Sequence, residues 1–246
     1  MRIALIADTH GNLVAVEAVL ADIERAEIDT IVCLGDVVAS GPKPREVLHL
    51  MREYATAVVR GNTDAFMLDL RPTPDDDETT RRWEIIDRWC AAQLTPDDLD
   101  YIRTFQPTVE LTLEGGARLF CFHGSPRSYH DRIIATTTDA DLDPMFDGID
   151  ATVLAGGHTH KQLFRRYRGS ILLNPGSVGM AHEPTSDGDN VNPPWAEYAI
   201  VESTDTSLSV DLRRVPIERE PIARAFLESG MPYAEWLAQG WLAAMG

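Results

Sequence analysis

Met1–His10 reads MRIALIADTH. Ile3 to Ala7 is an unbroken apolar run rich in branched side chains, which predicts a strand buried on both faces. It stops at Asp8-Thr9-His10. Chemically capable side chains directly after a buried strand are what an open α/β fold offers a ligand. Working outward, Leu13, Val16, Val19, Leu20 and Ile23 recur at helical spacing between Asn12 and Arg25. Thr30–Leu34 predicts a second buried strand, Pro44–Tyr54 a second helix with proline in its first turn, and Thr56–Val59 a third strand. This alternation predicts parallel pairing through right-handed crossovers.

The segment from Phe66 to Gln106 breaks the pattern. Arg71–Glu78, RPTPDDDE, is turn-rich and acidic, and its Asp75–Glu78 run reads as a solvated loop. Thr79–Leu94 predicts a helix. Thr95-Pro96-Asp97-Asp98 marks the start of another, with a capping hydroxyl, proline at the first position and acids at the positive end. Beyond it, Val109–Leu113 and Arg118–Phe122 form a hairpin across Glu114–Ala117. Asp139–Asp147 reads as a short helix and Ala151–Ala155 as a buried strand. Further hairpins are expected at Gln162–Asn174 and Glu197–Arg214, with a long polar loop, Pro175–Pro194, between them. The expected architecture is α/β: two packed mixed sheets flanked by helices in one domain over 1–246. A small helical insert (about 66–106) and a helical tail (about 217–246) complete it. The Trp, Phe and Leu residues of insert and tail suit either a subunit interface, and so a homo-oligomer, or the core.

Among 246 residues, 22 Lys and Arg stand against 39 Asp and Glu, a formal net charge of −17. That balance argues against duplex nucleic acid and against an anionic membrane as partners. It leaves room for a small anionic substrate at a local cationic site. Cys33, Cys90 and Cys121 are odd in number and widely spaced, so no disulfide framework is expected. The apolar start is too short for a signal peptide, and no apolar run approaches the ~20 residues that span a bilayer. A cytoplasmic protein is expected.

The informative residues follow the predicted strands. Asp8 and His10 follow the first, Gly35-Asp36 the second, and Gly61-Asn62-Thr63-Asp64 the third. His123-Gly124 and Gly157-His158-Thr159-His160 follow two later strands. Asp, His and Asn are ligands for borderline-hard divalent metals. Seven of them exceed the needs of one cation but suit two that share a carboxylate. Asp8 and His10 are two residues apart, as are His158 and His160, so in extended segments each pair points one way. The neighbouring glycines permit tight turns that aim these side chains into one cleft.

DxH, GD, GN, a later His and GHTH, in this order and followed by Asn174-Pro175-Gly176-Ser177, resemble the calcineurin-like metallophosphoesterases. The resemblance is strongest to their small bacterial and archaeal phosphodiesterase branch and runs from Asp8 to Ser177. It implies a four-layer αββα sandwich. It also implies a metal held by Asp8, His10, Asp36 and His160, and a second held by Asp36, Asn62, His123 and His158, with Asp36 bridging. Manganese is expected, with iron, zinc, nickel or cobalt compatible. Two divalent ions bring +4 and two aspartates −2, so such a site is locally cationic. Asp36, Asn62 and His123 carry the catalytic expectation: a hydroxide shared by two metals attacks phosphorus in line. A small phosphate-ester substrate would meet Asn62 and Thr63, with Arg60 and Arg165 as further contacts. Phosphodiesterase action on small diesters or nucleotides is the first expectation. Phosphomonoesterase, protein-phosphatase-like or dinucleoside-polyphosphate hydrolase action is the alternative. Some relatives are metal-free scaffolds that have lost ligand histidines; here all are present.

One departure stands out. Many members carry histidine after the GN asparagine, and this chain has Thr63. General-acid assistance, typically worth about 10²–10⁴-fold, is thereby in question. Arg166, Arg168 and His49 read as structural, and Asp64 as a turn or ligand-orienting residue. His130 and His182 lie in loops near the motifs. Ser125 and Ser177 lack a nucleophile elbow.

Overall fold

In β1 (Arg2–Ile6), Ile3 and Leu5 enter one core and Ala4 and Ile6 another, all of them buried. A strand so divided must lie between two layers. The computed structural model describes residues 1–28, 30–71, 77–184 and 190–243. Most of Arg71–Glu78 and residues 185–189 of the long loop lie outside them.

After β1 come α1 (Leu13–Arg25), β2 (Thr30–Cys33), α2 (Pro44–Tyr54), β3 (Ala57–Val58) and α3 (Asn62–Leu68). Next are α4 (Glu78–Ala92), α5 (Pro96–Arg103), β4 (Val109–Thr112), β5 (Arg118–Cys121), α6 (Asp139–Leu142) and β6 (Val153–Ala155). The chain continues through β7 (Leu163–Tyr167), β8 (Ser170–Asn174), β9 (Glu183–Pro184) and β10 (Asn190–Val191). It ends with β11 (Trp195–Ser203), β12 (Leu208–Pro216), α7 (Arg219–Glu228) and α8 (Ala234–Leu242).

One five-stranded sheet has the order β12-β11-β1-β2-β3 and the other β4-β5-β6-β8-β7. β1, β2 and β3 are parallel, as are β5, β6 and β8. The two sheets face each other across Ile3, Leu5, Val32 and Leu34 on one side and Leu119, Cys121, Val153 and Leu173 on the other. The outer face of the first sheet is covered by α1, α2, the insert and the tail. That of the second packs against Leu142, Phe146 and Ile133. The expected arrangement of two mixed sheets flanked by helices is therefore the observed one.

Three details go beyond the sequence expectation. The last hairpin crosses back to the first sheet, where β11 pairs antiparallel with β1. The helical region starts earlier, because α3 begins at Asn62 with Gly61 as its cap and the Gly61 N–H held by the Asp64 carboxylate. The long loop also carries a two-residue ladder, β9 with β10.

Insert and tail share one core. Ile86, Cys90 and Ile102 are buried together with Leu48, Met51, Ile222, Phe226 and Trp241. Trp83 and Trp236 meet edge-on at 5.3 Å. The aromatic residues of these segments thus find intramolecular partners. Buried Asp98 fastens α5 to α2, accepting hydrogen bonds from Arg45 Nε (2.9 Å), His49 Nε2 (2.9 Å) and Thr95 Oγ1 (2.7 Å). These partners hold its carboxyl well below the usual carboxylate range, against the opposing effect of burial. Asp97, 79 % exposed, pairs with Arg52. Asp98→Ala is expected to cost about 1–3 kcal/mol of unfolding free energy, because it strands buried donors and removes a cap. Asp97→Ala should cost under about 0.5 kcal/mol. Equal losses in urea melts would contradict this assignment.

Candidate active site and metal centre

The parallel strands of both sheets end at one seam. Asp8 and His10 follow β1, Asp36 follows β2, and Asn62 opens α3 after β3. His123 follows β5, His158 and His160 follow β6, and Asn174 closes β8. The seven residues singled out by the motifs therefore converge. They do so by a route the sequence did not suggest. Asp8 (φ 54°), His10 (43°), Asp36 (56°), His158 (68°) and His160 (56°) are all left-handed. Extended pairs would space their side chains by ~6.6 Å. The left-handed turns instead bring His10 Nε2 to 4.0 Å from Asp8 Oδ1.

Such backbone survives only where its surroundings over-determine it. Asp8 N donates to Gly35 O (2.9 Å), His10 N to Asp36 O (3.0 Å) and Gly179 N to Asp8 O (3.0 Å). Ser177 Oγ donates to Asp8 O (2.8 Å) and accepts from Met180 N (2.8 Å). Asn174 Nδ2 donates to Gly157 O and Thr159 Oγ1. The Asn174–Ser177 turn is thus the brace between the two ligand-bearing loops, and the Ser177 hydroxyl is committed to that brace. Glycine is required where loops touch: a Cβ on Gly61 would lie 2.0 Å from Asp36 Oδ1.

Two donor groups result. Asp8, His10 and His160 form one, and Asp36, His123 and His158 the other, with ligand atoms in each within 4.8 Å of one another. Three imidazoles are oriented alike. His10 Nδ1 faces Ala39 O (3.1 Å), His160 Nδ1 faces Met180 O (2.9 Å) and His123 Nδ1 faces Leu34 O (2.7 Å). A carbonyl only accepts, so each Nδ1 carries the hydrogen and each Nε2 turns its lone pair inward. His158 turns Nδ1 inward instead.

Asn62 Oδ1 lies 3.0 Å from His123 Nε2, 2.9 Å from His158 Nδ1 and 3.3 Å from Asp36 Oδ2. With the amide turned this way, four lone-pair atoms face one point, an arrangement that only a cation or a proton satisfies. Turned the other way, its NH2 brings two N–H donors to face the same three atoms. His10 Nε2 and His160 Nε2 approach to 3.0 Å on the other side. The donor set therefore fits divalent metal ions, with nitrogen and oxygen donors, a bifunctional amide and histidines oriented from behind.

Behind Asp36 stands Asp64. Its carboxylate accepts from Asp36 N (2.8 Å), Gly61 N (2.9 Å) and Val37 N (2.9 Å), which ties the β2 and β3 loops together. Burial, then the charge of Asp36, push its carboxyl up to about 6.

A family model described as the calcineurin-like phosphoesterase superfamily domain matches residues 1–201. The chain belongs to that superfamily. A metallophosphoesterase from Sphaerobacter thermophilus is similar in structure, with TM-score 0.75 and 29% identity over 99% of this chain and 98% of that one. A hypothetical protein from Pyrococcus horikoshii shares the fold, with TM-score 0.77 and 20% identity over 96% and 97%. An uncharacterized protein of Methanocaldococcus jannaschii is 27% identical over 252 residues, 96% of each chain. A symmetrical bis(5'-nucleosyl)-tetraphosphatase of Pectobacterium carotovorum is 36% identical over 97 residues, 32% of this chain and 34% of that protein.

The superfamily is metal-dependent, and the electrostatics of this member's donor groups fit that dependence. Burial opposes ionisation of Asp36 and Asp8, yet His123 and His160 hold both below the usual carboxylate range. Conversely, burial disfavours charge on His123, but the Asp36 carboxylate lifts it to about 10. His160 is raised by Asp8 against burial. His10 and His158 fall to about 4, through burial and the neighbouring charged imidazole. A proton on His123 or His160 Nε2 would therefore compete with a metal for the same lone pair.

The remaining sequence candidates separate. Thr63 N donates to Asp36 Oδ1 (2.9 Å), and its Oγ1 is buried without a partner. The Arg60 guanidinium instead holds Arg103 O (3.0 Å) and Phe105 O (2.9 Å). Arg165 is not delivered to the cluster; it bonds Thr137 O and Asp139 on the outer side of the second sheet. Arg168 pairs with Asp143, and His130 is exposed. Ser125 Oγ donates to Asp131. His182 stacks on His160 at 5.3 Å.

Metal loading is expected to release protons and to weaken as pH falls, by about tenfold per pH unit for each proton displaced. Calorimetric Mn²⁺ titrations at pH 6 and 8 test this, and equal affinities would contradict it. Gly61→Ala should lose metal while keeping the far-ultraviolet spectrum, since its Cβ overlaps Asp36 Oδ1.

Proposed function

We propose that this chain is a dinuclear metal-dependent phosphodiesterase acting on small phosphodiesters or nucleotides. Asp8, His10, Asp36 and His160 would hold one divalent metal, and Asp36, Asn62, His123 and His158 the other. The Asp36 carboxylate carries the reading. Its Oδ1 is held by Thr63 N–H, while Oδ2 lies 3.3 Å from His123 Nε2 and 4.0 Å from His10 Nε2, between the two donor groups. One oxygen is thereby positioned and the other left to be shared. Manganese suits these donors, as do iron, zinc, nickel and cobalt. Bound there, the cations would neutralise phosphoryl charge and make water a nucleophile near neutral pH.

The protein's own part is orientation. Asp64 fixes the loop that carries Asp36. The carbonyls of Ala39, Met180 and Leu34 fix the rotation of three imidazoles. The Thr63 hydroxyl, buried and unpartnered, is free to bond a phosphoryl oxygen. It does not ionise near neutral pH, so it offers no general acid to a departing alkoxide. Good leaving groups are favoured for that reason. A net charge of −17 favours small substrates over duplex nucleic acid. No helix among the described residues is long and apolar enough to cross a membrane, and a cytoplasmic site of action is part of the proposal.

The partial likeness to a bis(5'-nucleosyl)-tetraphosphatase supports a second reading, hydrolysis of a dinucleoside polyphosphate at the same centre. Protein stripped of metal and reloaded with Mn²⁺ is expected to cleave bis(p-nitrophenyl) phosphate faster than p-nitrophenyl phosphate. Asp36→Ala should lower the rate by more than about 100-fold, beyond what outer-shell partners cost. Preference for the monoester would overturn the diesterase assignment. Inert diesters with cleavage of diadenosine tetraphosphate would favour the second reading, and protein that takes up no metal would point to a scaffold. Thr63→His should speed poor leaving groups more than good ones; an equal effect on both would remove the leaving-group argument.

A further inference from the structure

Among the described residues, four buried side-chain atoms lack a hydrogen-bond partner: Arg2 Nε, Arg60 Nε, Thr63 Oγ1 and His182 Nδ1. A buried imidazole nitrogen without a partner needs an explanation. His182 lies beside the donor cluster. Its ring stacks on His160 with centroids 5.3 Å apart and planes 23° from parallel. His160 Nε2 in turn lies 3.4 Å from Asp8 Oδ1 and 3.0 Å from His10 Nε2. Thr63 adjoins the other group, its main-chain N–H donating to Asp36 Oδ1. Two residues that each carry an unpartnered side-chain polar atom thus adjoin the two donor groups, one at each.

The segment that carries His182 is fastened to the site. Gly179 N donates to Asp8 O (3.0 Å), and Asn12 Nδ2 donates to Gly179 O (2.9 Å). Met180 N is held by Ser177 Oγ, and Met180 O takes His160 Nδ1. Two residues later comes the His182 ring. Its place is therefore set by the same contacts that set the ligands, not by a freely moving loop. A cation flanked by hydrogen-bond donors is the arrangement that binds a phosphoryl group, whose peripheral oxygens outnumber the metal positions.

We infer that His182 is a substrate-contacting residue whose Nδ1–H donates to a phosphoryl oxygen on the Asp8–His10–His160 side of the centre. The inference rests on the phosphoesterase reading above and assigns its substrate a second protein contact opposite Thr63. The ligand chemistry is a tetrahedral phosphoryl anion, and inorganic phosphate is the simplest probe.

The test uses the full chain loaded with Mn²⁺, as wild type and as His182→Ala, His182→Phe and His182→Asn. Phenylalanine keeps a ring to stack on His160 but no donor; asparagine keeps a donor near the Nδ1 position. Phosphate binding is measured by calorimetry, metal content by elemental analysis, and KM and kcat on bis(p-nitrophenyl) phosphate. The expected result is unchanged metal content, phosphate affinity weakened about tenfold or more in the Ala and Phe variants, and substantial recovery with Asn. Phosphate affinity, KM and kcat in the Phe variant equal to wild type would overturn the inference. So would loss of metal from the Phe variant, because His182 would then support His160 and not the substrate. Wild-type protein that holds two metals yet binds no phosphate would sink the phosphoesterase reading itself, and this inference with it.

Discussion

Two carboxylates, four imidazoles and one amide oxygen aim lone pairs into a buried seam, and the rest of the molecule is arranged around that concentration. Like groups so close repel unless positive charge sits among them. The protein therefore has to hold the donors together before any cation contributes. It does so with backbone. Five of the seven donors are left-handed, at a cost of about 1–3 kcal/mol each. The opposing stabilisation comes from the ladder of main-chain bonds between the β1 and β2 loops, from Asp64 across three N–H groups, and from the Asn174–Ser177 brace. The two sheets supply rigid platforms, since every donor hangs from the carboxyl end of a strand or from the helix that follows.

What could be read from sequence followed from locality. Each donor stands within a few residues of a short apolar run, and five of the seven are beside glycine, so strand, turn and ligand type are all written in one window. The convergence itself was not. Spacing by two suggested an extended pair, but left-handed turns leave no mark in the identity of Asp8, His10, His158 or His160 beyond tolerance for that region. The short helix α3 escaped because its cap is a glycine acting through its backbone, and Asp64, its closing residue, also reads as a turn. The place of the last hairpin is decided by pairing Ile3 with Val201, a contact with no local signal. Arginines near the motifs were ambiguous for the same reason: the carbonyls that capture Arg60 and Arg165 come from the end of α5 and just beyond it, and from the approach to α6.

Insert and tail carry no ligand, yet they are not separate from the site. Asp87 on α4 accepts from Ser40 Oγ (2.9 Å), and Ser40 follows Ala39, whose carbonyl orients His10. Burial, joined by the charge of Asp36, pushes the Asp87 carboxyl up to about 7. The insert thus reaches the loop that orients a ligand. α8, which meets the insert through Trp236 and Trp83, closes the same layer from outside. Segments that differ in sequence pattern from the sandwich are in this way coupled to its central loops.

Position 63 shows how one residue can vary without dismantling the centre. Its backbone N–H holds Asp36 Oδ1, a contact that any residue other than proline supplies. Its hydroxyl has no hydrogen-bond partner among the described residues. Orientation of the shared carboxylate and handling of the substrate are therefore carried by different atoms of the same residue. The main chain at Thr63 holds the Asp36 carboxylate, while the side-chain hydroxyl is left for the substrate of the proposed reaction. On the proposed phosphoesterase reading, threonine in place of histidine at this position would change the substrates the centre favours without dismantling the centre.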